Sequence, residues 1–304
     1  ALVSCFVFRL TLDKFGLSNN KQVSTGGAMI ASNAFRFLST IGVNLTQNYW
    51  SVEAGYATDS LEENGNGNSV GTIRPEVEAS ISEQGELLLR RGGLFRCYFK
   101  DTAATEQAID GDGWYHTGDA CYIDDKRRLY FISRLSDMRQ LAIGEKYAPE
   151  HIESNIRFGT YVRDCLAIGD ETRDYVSAIV YLDFQSIARW ADMGGLLYST
   201  LVELSQSDEV AELVLDDIMR VNSSLPEYAR IGKYVVSHRE YEADVGATGA
   251  GKLRREQAEH EYADLINGIY AGSPVHTIQA TVAYSDGRMA VVPTDIKIRS
   301  VEAT

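Results

Sequence analysis

The first 50 residues alternate between helical and extended patterns of apolar residues. Apolar side chains recur every three or four positions over 1–15 and 32–40, which predicts two helices, the second capped by Ser32. The segments at 22–25 and 42–50 have the composition of short strands. The order strand, helix, strand is typical of an α/β sheet, in which ligands bind at the carboxyl ends of the strands.

The middle of the chain is predicted to be rich in strands. Apolar and polar residues alternate at 77–81 and 86–91, with Gly85 in the turn between them. A second hairpin is indicated by the turn residues at 123–126, because the segments on both sides alternate in the same way.

The second half of the chain contains both helical and extended patterns of apolar residues. Its predicted elements are strands at 165–169 and 177–182, and helices at 186–193, from Ser207 to 221, and at 256–270. After a linker at 272–274 the tail alternates as a hairpin around a turn at 285–288. No chemistry is indicated for this tail, and we expect it to add strands to the preceding domain or to form a subunit contact.

The second hairpin gives the first candidate for a binding site. Asp119 closes a predicted Gly-rich turn, HTGD, and Arg134 follows the strand 128–133. A hairpin brings its two ends together, so these two side chains are predicted to meet. A carboxylate can accept hydrogen bonds from two neighbouring hydroxyls and a guanidinium can donate several, which suits the vicinal diol of a ribose. An ordinary Asp–Arg pair beside a turn explains the same spacing.

Composition and charge exclude some classes of function. The 304 residues suffice for one large or two ordinary domains, and 44% are hydrophobic. A net charge of −14 argues against general nucleic-acid binding and against docking on anionic lipid by charge alone. No apolar run is long enough to span a membrane.

Cysteine spacing gives no sign of a metal site. The four cysteines are far apart and form no CxxC or Cys/His ligand pattern, so we interpret them as free thiols in a reducing compartment. The chain starts with alanine and opens directly into an apolar segment, and we therefore expect it to be part of a larger protein.

Several motifs in order resemble the adenylate-forming superfamily, which includes acyl-CoA synthetases, luciferases and peptide-synthetase adenylation domains. The letters are DGWYHTGD, then a strand, then SR, then GEKYAPEHIE. In that family the Asp of TGD and the Arg after the following strand bind the ribose of AMP. The resemblance covers about 24–270 and implies these roles for Asp119 and Arg134.

The resemblance also implies a mixed α/β fold with three parts. Positions 1–134 correspond to the C-terminal part of the large AMP-binding domain, with α/β structure and a small β-barrel. Positions 135–271 correspond to a small mobile α+β domain, and 272–304 form the hairpin tail.

A glycine turn resembles one wall of the family's AMP site. It consists of Gly26, Gly27 and Ala28. Glycines let a ligand approach the backbone closely. Tight packing explains a GG turn equally well.

The segment from Asn48 to Glu53 resembles the family's YGxTE motif, in which Tyr49 and Glu53 match. The family's Glu helps to hold the Mg²⁺ that accompanies ATP, and a hard cation prefers carboxylate oxygen. Two positions depart from the motif. Trp50 replaces glycine and is expected to crowd the pocket, and Val52 replaces a phosphate-contacting threonine and cannot donate a hydrogen bond.

Three further sites follow from the resemblance in the second half. Ser136 takes the position of the hinge on which the small domain rotates, although a plain loop serine explains it too. The segment Gly144, Glu145 and Lys146 resembles the start of the GxxxAPxxIE loop, which lines the CoA tunnel in long-chain acyl-CoA synthetases. Lys252, in TGAGKLRR, resembles the lysine that enters the active site during adenylation, where a cation stabilises two anions brought together. A basic surface helix start explains the same letters.

The implied function is a two-step acid–thiol ligase that uses ATP, Mg²⁺ and CoA. A long-chain fatty acid and ATP give acyl-AMP and pyrophosphate, and the CoA thiol then displaces AMP. The family's phosphate loop, of the STGTTGxPKG kind, does not occur in these 304 residues, so we expect the isolated chain to bind ATP weakly and to be inactive.

The alternative is a non-catalytic or degenerate nucleotide- or CoA-binding module, which the departures at Trp50, Val52 and Ser136 favour. A purely structural protein does not explain four site residues in family order. We further expect small-molecule partners, no nucleic acid, at most peripheral membrane contact, a cytoplasmic location, and a chain able to form a homo-oligomer.

Overall fold

The computed structural model describes residues 2–27, 30, 32–59, 69–239, 255–283 and 289–301. The chain divides into two compact units, residues 1–137 and 138–304. The three-part division at 134/135 and 271/272 remains a prediction. None of the helices in the described ranges is long and apolar enough to cross a membrane.

The first unit combines a small parallel pair of strands with an antiparallel sheet. Its helices are α1 Leu2–Lys14, α2 Ser32–Thr40 and α3 Thr102–Ala108. Its strands are β1 Val23–Thr25, β2 Leu45–Gln47, β3 Trp50–Ser51, β4 Gly55–Tyr56, β5 Thr58–Asp59, β6 Thr72–Ile73, β7 Glu78–Ile81, β8 Glu86–Arg90, β9 Tyr115–Ile123 and β10 Leu129–Arg134.

The predicted strand–helix–strand unit is present at the start of the chain. β1 and β2 pair in parallel, with Val23 opposite Leu45, and α2 connects them. Phe35 of α2 is buried with Ile41, Val43 and Leu45 in a small core. The pair ends at Thr25 and Gln47, so the residues that follow each strand emerge at the same edge.

The predicted β-barrel corresponds to a four-stranded antiparallel sheet, in the order β10-β9-β8-β7, and to the short hairpins β3–β4 and β5–β6. In the described part of the chain the hydrogen-bonded order of this sheet does not close on itself. Leu87 and Leu89 alternate with half-buried residues along β8, and they form its core together with Leu129 of β10.

The second unit is built around a mixed four-stranded sheet. Its helices are α4 Pro149–Ile156, α5 Phe184–Gly194, α6 Leu201–Ser205, α7 Asp208–Asn222, α8 Arg255–Glu261 and α9 Ala263–Tyr270. Its strands are β11 Arg139–Gln140, β12 Lys146–Tyr147, β13 Val162–Ile168, β14 Val176–Leu182, β15 Ile231–Val236, β16 Val275–Ala283, β17 Met289–Lys297 and β18 Arg299–Ser300.

Both faces of this sheet are covered, which explains the unbroken apolar run of its central strand. The order is β13-β14-β15-β18, with β14 and β15 parallel and the outer pairs antiparallel. Every residue of β14 is buried. Helices α4, α5 and α7 pack on one face, and α8 and α9 pack on the other with residues of the tail.

The last predicted helix is two helices. α8 ends at Glu261 and α9 starts at Ala263, because Tyr262 between them leaves the helical conformation (φ −97°, ψ 13°). The Tyr262 ring packs edge-on against Tyr181, with ring centroids 6.0 Å apart.

The tail adds a strand to the second unit. β16 and β17 pair over their whole length, as the alternation predicted, and β18 then pairs with β15 of the central sheet. Ile296 and Ile298 are buried in the adjoining core. The turn predicted at 285–288 lies outside the described residues.

Candidate functional site

The two candidate ribose-binding residues face each other across the hairpin β9–β10. Asp119 is paired with Arg134 in the strand register, as the sequence predicted. The Arg134 Nε lies 3.1 Å from Asp119 Oδ1. The Asp119 carboxylate is buried, whereas the Arg134 side chain is 61% exposed, so the guanidinium borders solvent while the carboxylate lies beneath it.

A tyrosine from a distant part of the chain completes this pair. The Tyr49 hydroxyl donates to Asp119 Oδ2 at 2.5 Å, a distance typical of a hydroxyl bonded to an ionised carboxylate. Burial, reinforced by the nearby Asp119 charge, raises the pKa of Tyr49, so the phenol stays protonated and acts as donor. Tyr49 therefore fixes one carboxylate oxygen.

The other carboxylate oxygen is left without a hydrogen bond. Asp119 Oδ1 is buried and accepts none from the described residues, although the Arg134 Nε is within ion-pair distance. The two observations agree if the Nε–H is directed away from the oxygen, and the interaction is then Coulombic only. Burial raises the pKa of Asp119, and the bond from Tyr49 and the charge of Arg134 oppose the shift only partly.

An irregularity in β9 places this carboxylate. The sequence predicted that HTGD forms a turn, and that prediction is wrong, because all four residues lie within β9. From Glu86 to Leu88 strand β8 advances two residues, while β9 moves four, from Ala120 to His116. Gly118 takes the left-handed conformation here (φ +69°), which a glycine adopts without strain.

Glu86 of β8 holds this irregular segment. Its Oε1 accepts from the Gly118 N–H at 2.9 Å, and its Oε2 lies 3.0 Å from His116 Nδ1. His116 Nε2 also lies 3.5 Å from Asp110 Oδ2. The hydrogen bond with Glu86 raises the pKa of His116, against the effect of burial. The backbone immediately before Asp119 is thus fixed by a charged side chain.

A small cavity of about 80 Å³ opens at these residues. Gly26, Gly27, Asn48, Tyr49, Trp50, Asp119 and Arg134 line it together with Thr25, Gln47, Val70 and Phe131. The structure therefore brings together the glycine turn, the start of the YGxTE-like segment and the Asp–Arg pair. Ala28 lies outside the described residues.

Glu53, the candidate Mg²⁺ ligand, is hydrogen-bonded to a residue outside this cavity. It lies between β3 and β4, and its Oε1 accepts from the Tyr98 hydroxyl at 2.8 Å. Glu53 and Val52 are not among the residues that line the cavity, and Val52 is 87% exposed. Among the described residues no group of three or more His, Cys, Asp or Glu is arranged to hold a metal. A single carboxylate with one oxygen engaged fits a cation carried largely by substrate phosphates.

The remaining candidate residues lie in loops, at the start of a strand or outside the described residues. Ser136 lies in a 3-10 turn, Leu135–Asp137, immediately before the division between the units, and its hydroxyl bonds Asp137 Oδ1 at 3.1 Å. Gly144 (φ +86°) and Glu145 form the exposed turn between β11 and β12, and Lys146 begins β12. Lys252 lies outside the described residues.

Sequence reasoning missed several residues that shape the site. Gln47 and Phe131 line the cavity, and Glu86 and His116 support Asp119. His116 stands in the DGWYHTGD motif, which was a usable signal. Glu86 gave no such signal in the sequence, because its role depends on strand pairing with a segment 30 residues away.

Comparison with known proteins agrees with this architecture. The adenylation domain of a carboxylate reductase from Mycobacterium chelonae superposes with a TM-score of 0.60 at 20% identity, covering 88% of this chain and 45% of that one. Apo MatB from Rhodopseudomonas palustris gives 0.56 at 19% identity, covering 80% and 46%. The fold is that of the C-terminal part of an adenylation domain.

Sequence comparisons identify the family. Residues 137–274 match the family model of the AMP-binding enzyme C-terminal domain. Peroxisomal long chain acyl-CoA synthetase 6 of Arabidopsis thaliana is 27% identical over 284 residues, covering 87% of this chain and 40% of the relative. The putative fatty-acid–CoA ligase fadD11 of Mycobacterium tuberculosis is 28% identical, covering 85% and 46%. The match to the family model covers residues 137–274, and the chain spans less than half the length of these curated relatives.

Proposed function

We propose that this chain forms the ribose-binding and C-terminal parts of an ATP-dependent fatty acid–CoA ligase with long-chain acyl substrates. The reaction has two steps. The fatty acid carboxylate attacks the α-phosphate of ATP to give acyl-AMP and pyrophosphate, and the CoA thiol then displaces AMP to give the thioester. The proposal rests on the similarity to acyl-CoA synthetases and on one feature of the site.

That feature is the unfilled acceptor on Asp119. A buried polar atom without a hydrogen bond is unfavourable by about 1–3 kcal/mol, and a ribose hydroxyl donating to Oδ1 would remove this penalty. Arg134, half in solvent beside it, is placed to donate to a second sugar oxygen. Tyr49 keeps the carboxylate oriented while the ligand binds.

The phosphate chemistry is assigned to Glu53 and Lys252. Mg²⁺ would be held by Glu53 together with the nucleotide phosphates, and it would offset their negative charge during carboxylate attack. Lys252 would place a cation between the fatty acid carboxylate and the α-phosphate in the transition state.

The CoA chain is assigned to the turn between β11 and β12. Gly144 has no side chain and adopts φ +86°, which leaves room for the pantetheine to approach the backbone beside Glu145 and Lys146. Ser136 is proposed as the hinge, because it lies two residues before the division between the units. A cytoplasmic location stays a prediction, since the names of some relatives specify peroxisomes.

The second candidate is a binding module without catalysis. Two observations favour it: Val52 presents an apolar side chain where a phosphate needs a donor, and Trp50 lies in the wall of a cavity of only about 80 Å³. Replacing Lys252 with alanine in a chain that also contains a phosphate loop separates the two. A ligase should lose adenylation and keep thioester formation from supplied acyl-AMP.

The direct test on this chain is a titration with adenosine 5′-monophosphate, followed by ligand-observed NMR. We expect weak binding that Asp119→Asn lowers about tenfold or more, since a hydrogen bond to a charged group contributes about 1.5–3 kcal/mol. Asp125→Asn is the matched control, because it removes the same charge at the exposed turn of the same hairpin. Equal effects of the two substitutions would contradict the assignment of the ribose site.

Turnover provides a second test. With palmitate, ATP, Mg²⁺ and CoA, the 304-residue chain is expected to give no acyl-CoA, because no phosphate loop is present in its sequence. Acyl-CoA synthesis by this chain would refute that part of the proposal.

A further inference from the structure

Trp50 lies directly against the glycine turn. A Cβ built on Gly26 would come within 2.7 Å of the Trp50 Nε1 and 2.9 Å of its Cδ1. Real side chains do not approach so closely, so the indole occupies the space that any other residue at position 26 would fill. The contact depends on both the glycine and the tryptophan.

The indole reduces the room beside Asp119. The cavity shared by Trp50, Gly26 and Asp119 measures about 80 Å³, whereas sites for small organic ligands are typically about 300–1,000 Å³. A cavity of this size admits a few heavy atoms, enough for part of a ribose. The base of a nucleoside would have to lie outside it.

Trp50 is, like Arg134, an exposed side chain in the wall of the cavity. It belongs to the two-residue strand β3, and 43% of its surface is exposed. Its aromatic neighbour Tyr56, on the paired strand β4, is itself 53% exposed, with ring centroids 6.1 Å apart. Tyr49, by contrast, is buried and bonded to Asp119. The indole is therefore freer to change position than the Tyr49 ring.

We propose that Trp50 is a specificity-determining residue that closes the ribose site to whole nucleotides until its indole leaves the Gly26–Gly27 turn. This inference rests on the proposed function of the same site. With the indole on the turn, Asp119 Oδ1 is buried and accepts no hydrogen bond from the described residues. With the indole displaced, the space above the turn becomes available to the purine of AMP.

The energetic consequence follows from the population of the displaced state. When only a fraction of molecules is competent to bind, the apparent affinity falls by that fraction. If the displaced indole is populated at about one part in ten, restoring glycine at position 50 should tighten AMP binding about tenfold.

The experiment compares AMP binding to the wild-type chain, Trp50→Gly and Trp50→Phe by the same NMR titration. We expect Trp50→Gly to bind about tenfold or more tightly and Trp50→Phe to fall between the two, because a phenyl ring fills less of the cavity. Fluorescence gives an independent readout in a Trp114→Phe, Trp190→Phe background, in which Trp50 is the remaining tryptophan. AMP should make its emission more accessible to acrylamide.

The outcomes separate this inference from the proposed function. Tighter binding to Trp50→Gly together with greater acrylamide access supports both. Equal or weaker binding to Trp50→Gly overturns the closing role and leaves the ribose site in place, since the indole would then be neutral or a stacking platform for the base. Absence of AMP binding in all three proteins overturns the ribose site and this inference with it. If Trp50→Gly does not fold, the Trp50→Phe affinity and the acrylamide result decide in the same way.

Discussion

Each unit contains a buried carboxylate paired with an arginine, and the two pairs differ in how completely they are hydrogen-bonded. In the second unit, Glu153 Oε1 accepts from the Ala167 N–H at 2.9 Å and from Arg255 at 2.5 Å. Arg255 also donates to the Ala167 carbonyl at 2.8 Å. In the first unit, Asp119 has a buried oxygen that accepts no hydrogen bond from the part of the chain that the structure describes.

The two arginines also differ in how far their side chains are exposed to solvent. The Arg255 side chain is 22% exposed and the Arg134 side chain 61% exposed. An enclosed pair with its bonding capacity largely used joins secondary-structure elements, here α4, β13 and α8. A pair with a vacant acceptor and a solvent-facing donor is suited to a ligand. A carboxylate–arginine pair can therefore join elements of the fold or offer a site to a ligand, depending on which groups complete its hydrogen bonds.

The largest effect on the free energy of unfolding is expected from breaking the enclosed pair, Glu153–Arg255. Glu153→Ala should lower the free energy of unfolding by about 3 kcal/mol, because it leaves the enclosed Arg255 charge with only the more distant Glu259, at 3.8 Å. Asp119→Asn should change it by less than about 1 kcal/mol, since asparagine keeps an oxygen that can accept from the Tyr49 hydroxyl. Urea unfolding measures both, and hydrogen exchange of the β13 amides locates the loss.

Glu153→Gln is the control for the first substitution, because it keeps an acceptor for the Ala167 N–H. A smaller loss than for alanine is expected. If Glu153→Ala and Asp119→Asn destabilise the protein equally, the contrast between a structural and a binding pair does not hold.

An intermediate effect is expected where Gly26 contacts Trp50. Gly26→Ala should destabilise the wild-type chain by about 1–3 kcal/mol, because the added methyl overlaps the indole. In a Trp50→Gly background the nearest remaining atom is the Asn48 carbonyl oxygen at 3.1 Å, and the same substitution should then have less than about half the effect. A double-mutant cycle on unfolding free energies measures the coupling, and additive effects would show that the two residues do not touch.

The smallest effect is expected from the pH dependence of the His116–Glu86 pair, which holds the backbone before Asp119. Because Glu86 raises the pKa of His116 above the unfolded value of 6.5, the charged pair contributes its full stability below that pH. The contribution is lost as pH rises through the higher folded pKa. The difference in unfolding free energy between the wild-type chain and His116→Gln should therefore shrink between pH 6 and pH 9, as measured by urea unfolding in buffers of constant ionic strength. A difference that stays constant over this range would exclude the charged pair, and Glu86→Gln should reduce the pH dependence to the part that Asp110 contributes.

The sequence by itself determined the features that depend on local pattern. Strand alternation and a turn between Asp119 and Arg134 were enough to place them opposite each other, because antiparallel pairing from a hairpin turn fixes the register. The apolar periods also located α2 at its observed bounds and both strands of the tail hairpin to within a few residues. The order of the motifs indicated the family, which the comparisons confirm.

Only the tertiary structure decided how the site is completed. Tyr49 reaches Asp119 across 70 positions of sequence, and Glu86 reaches Gly118 across 32. The direction of Glu53 toward Tyr98, and the contact of Trp50 with Gly26, depend in the same way on packing between segments far apart in the chain. Local patterns carry no information about such pairs, because they form only when separate strands and loops are brought together by burial of the core. The residue types of the site could therefore be read from the sequence, whereas the surroundings of the Asp119 carboxylate and the small cavity beside it could not.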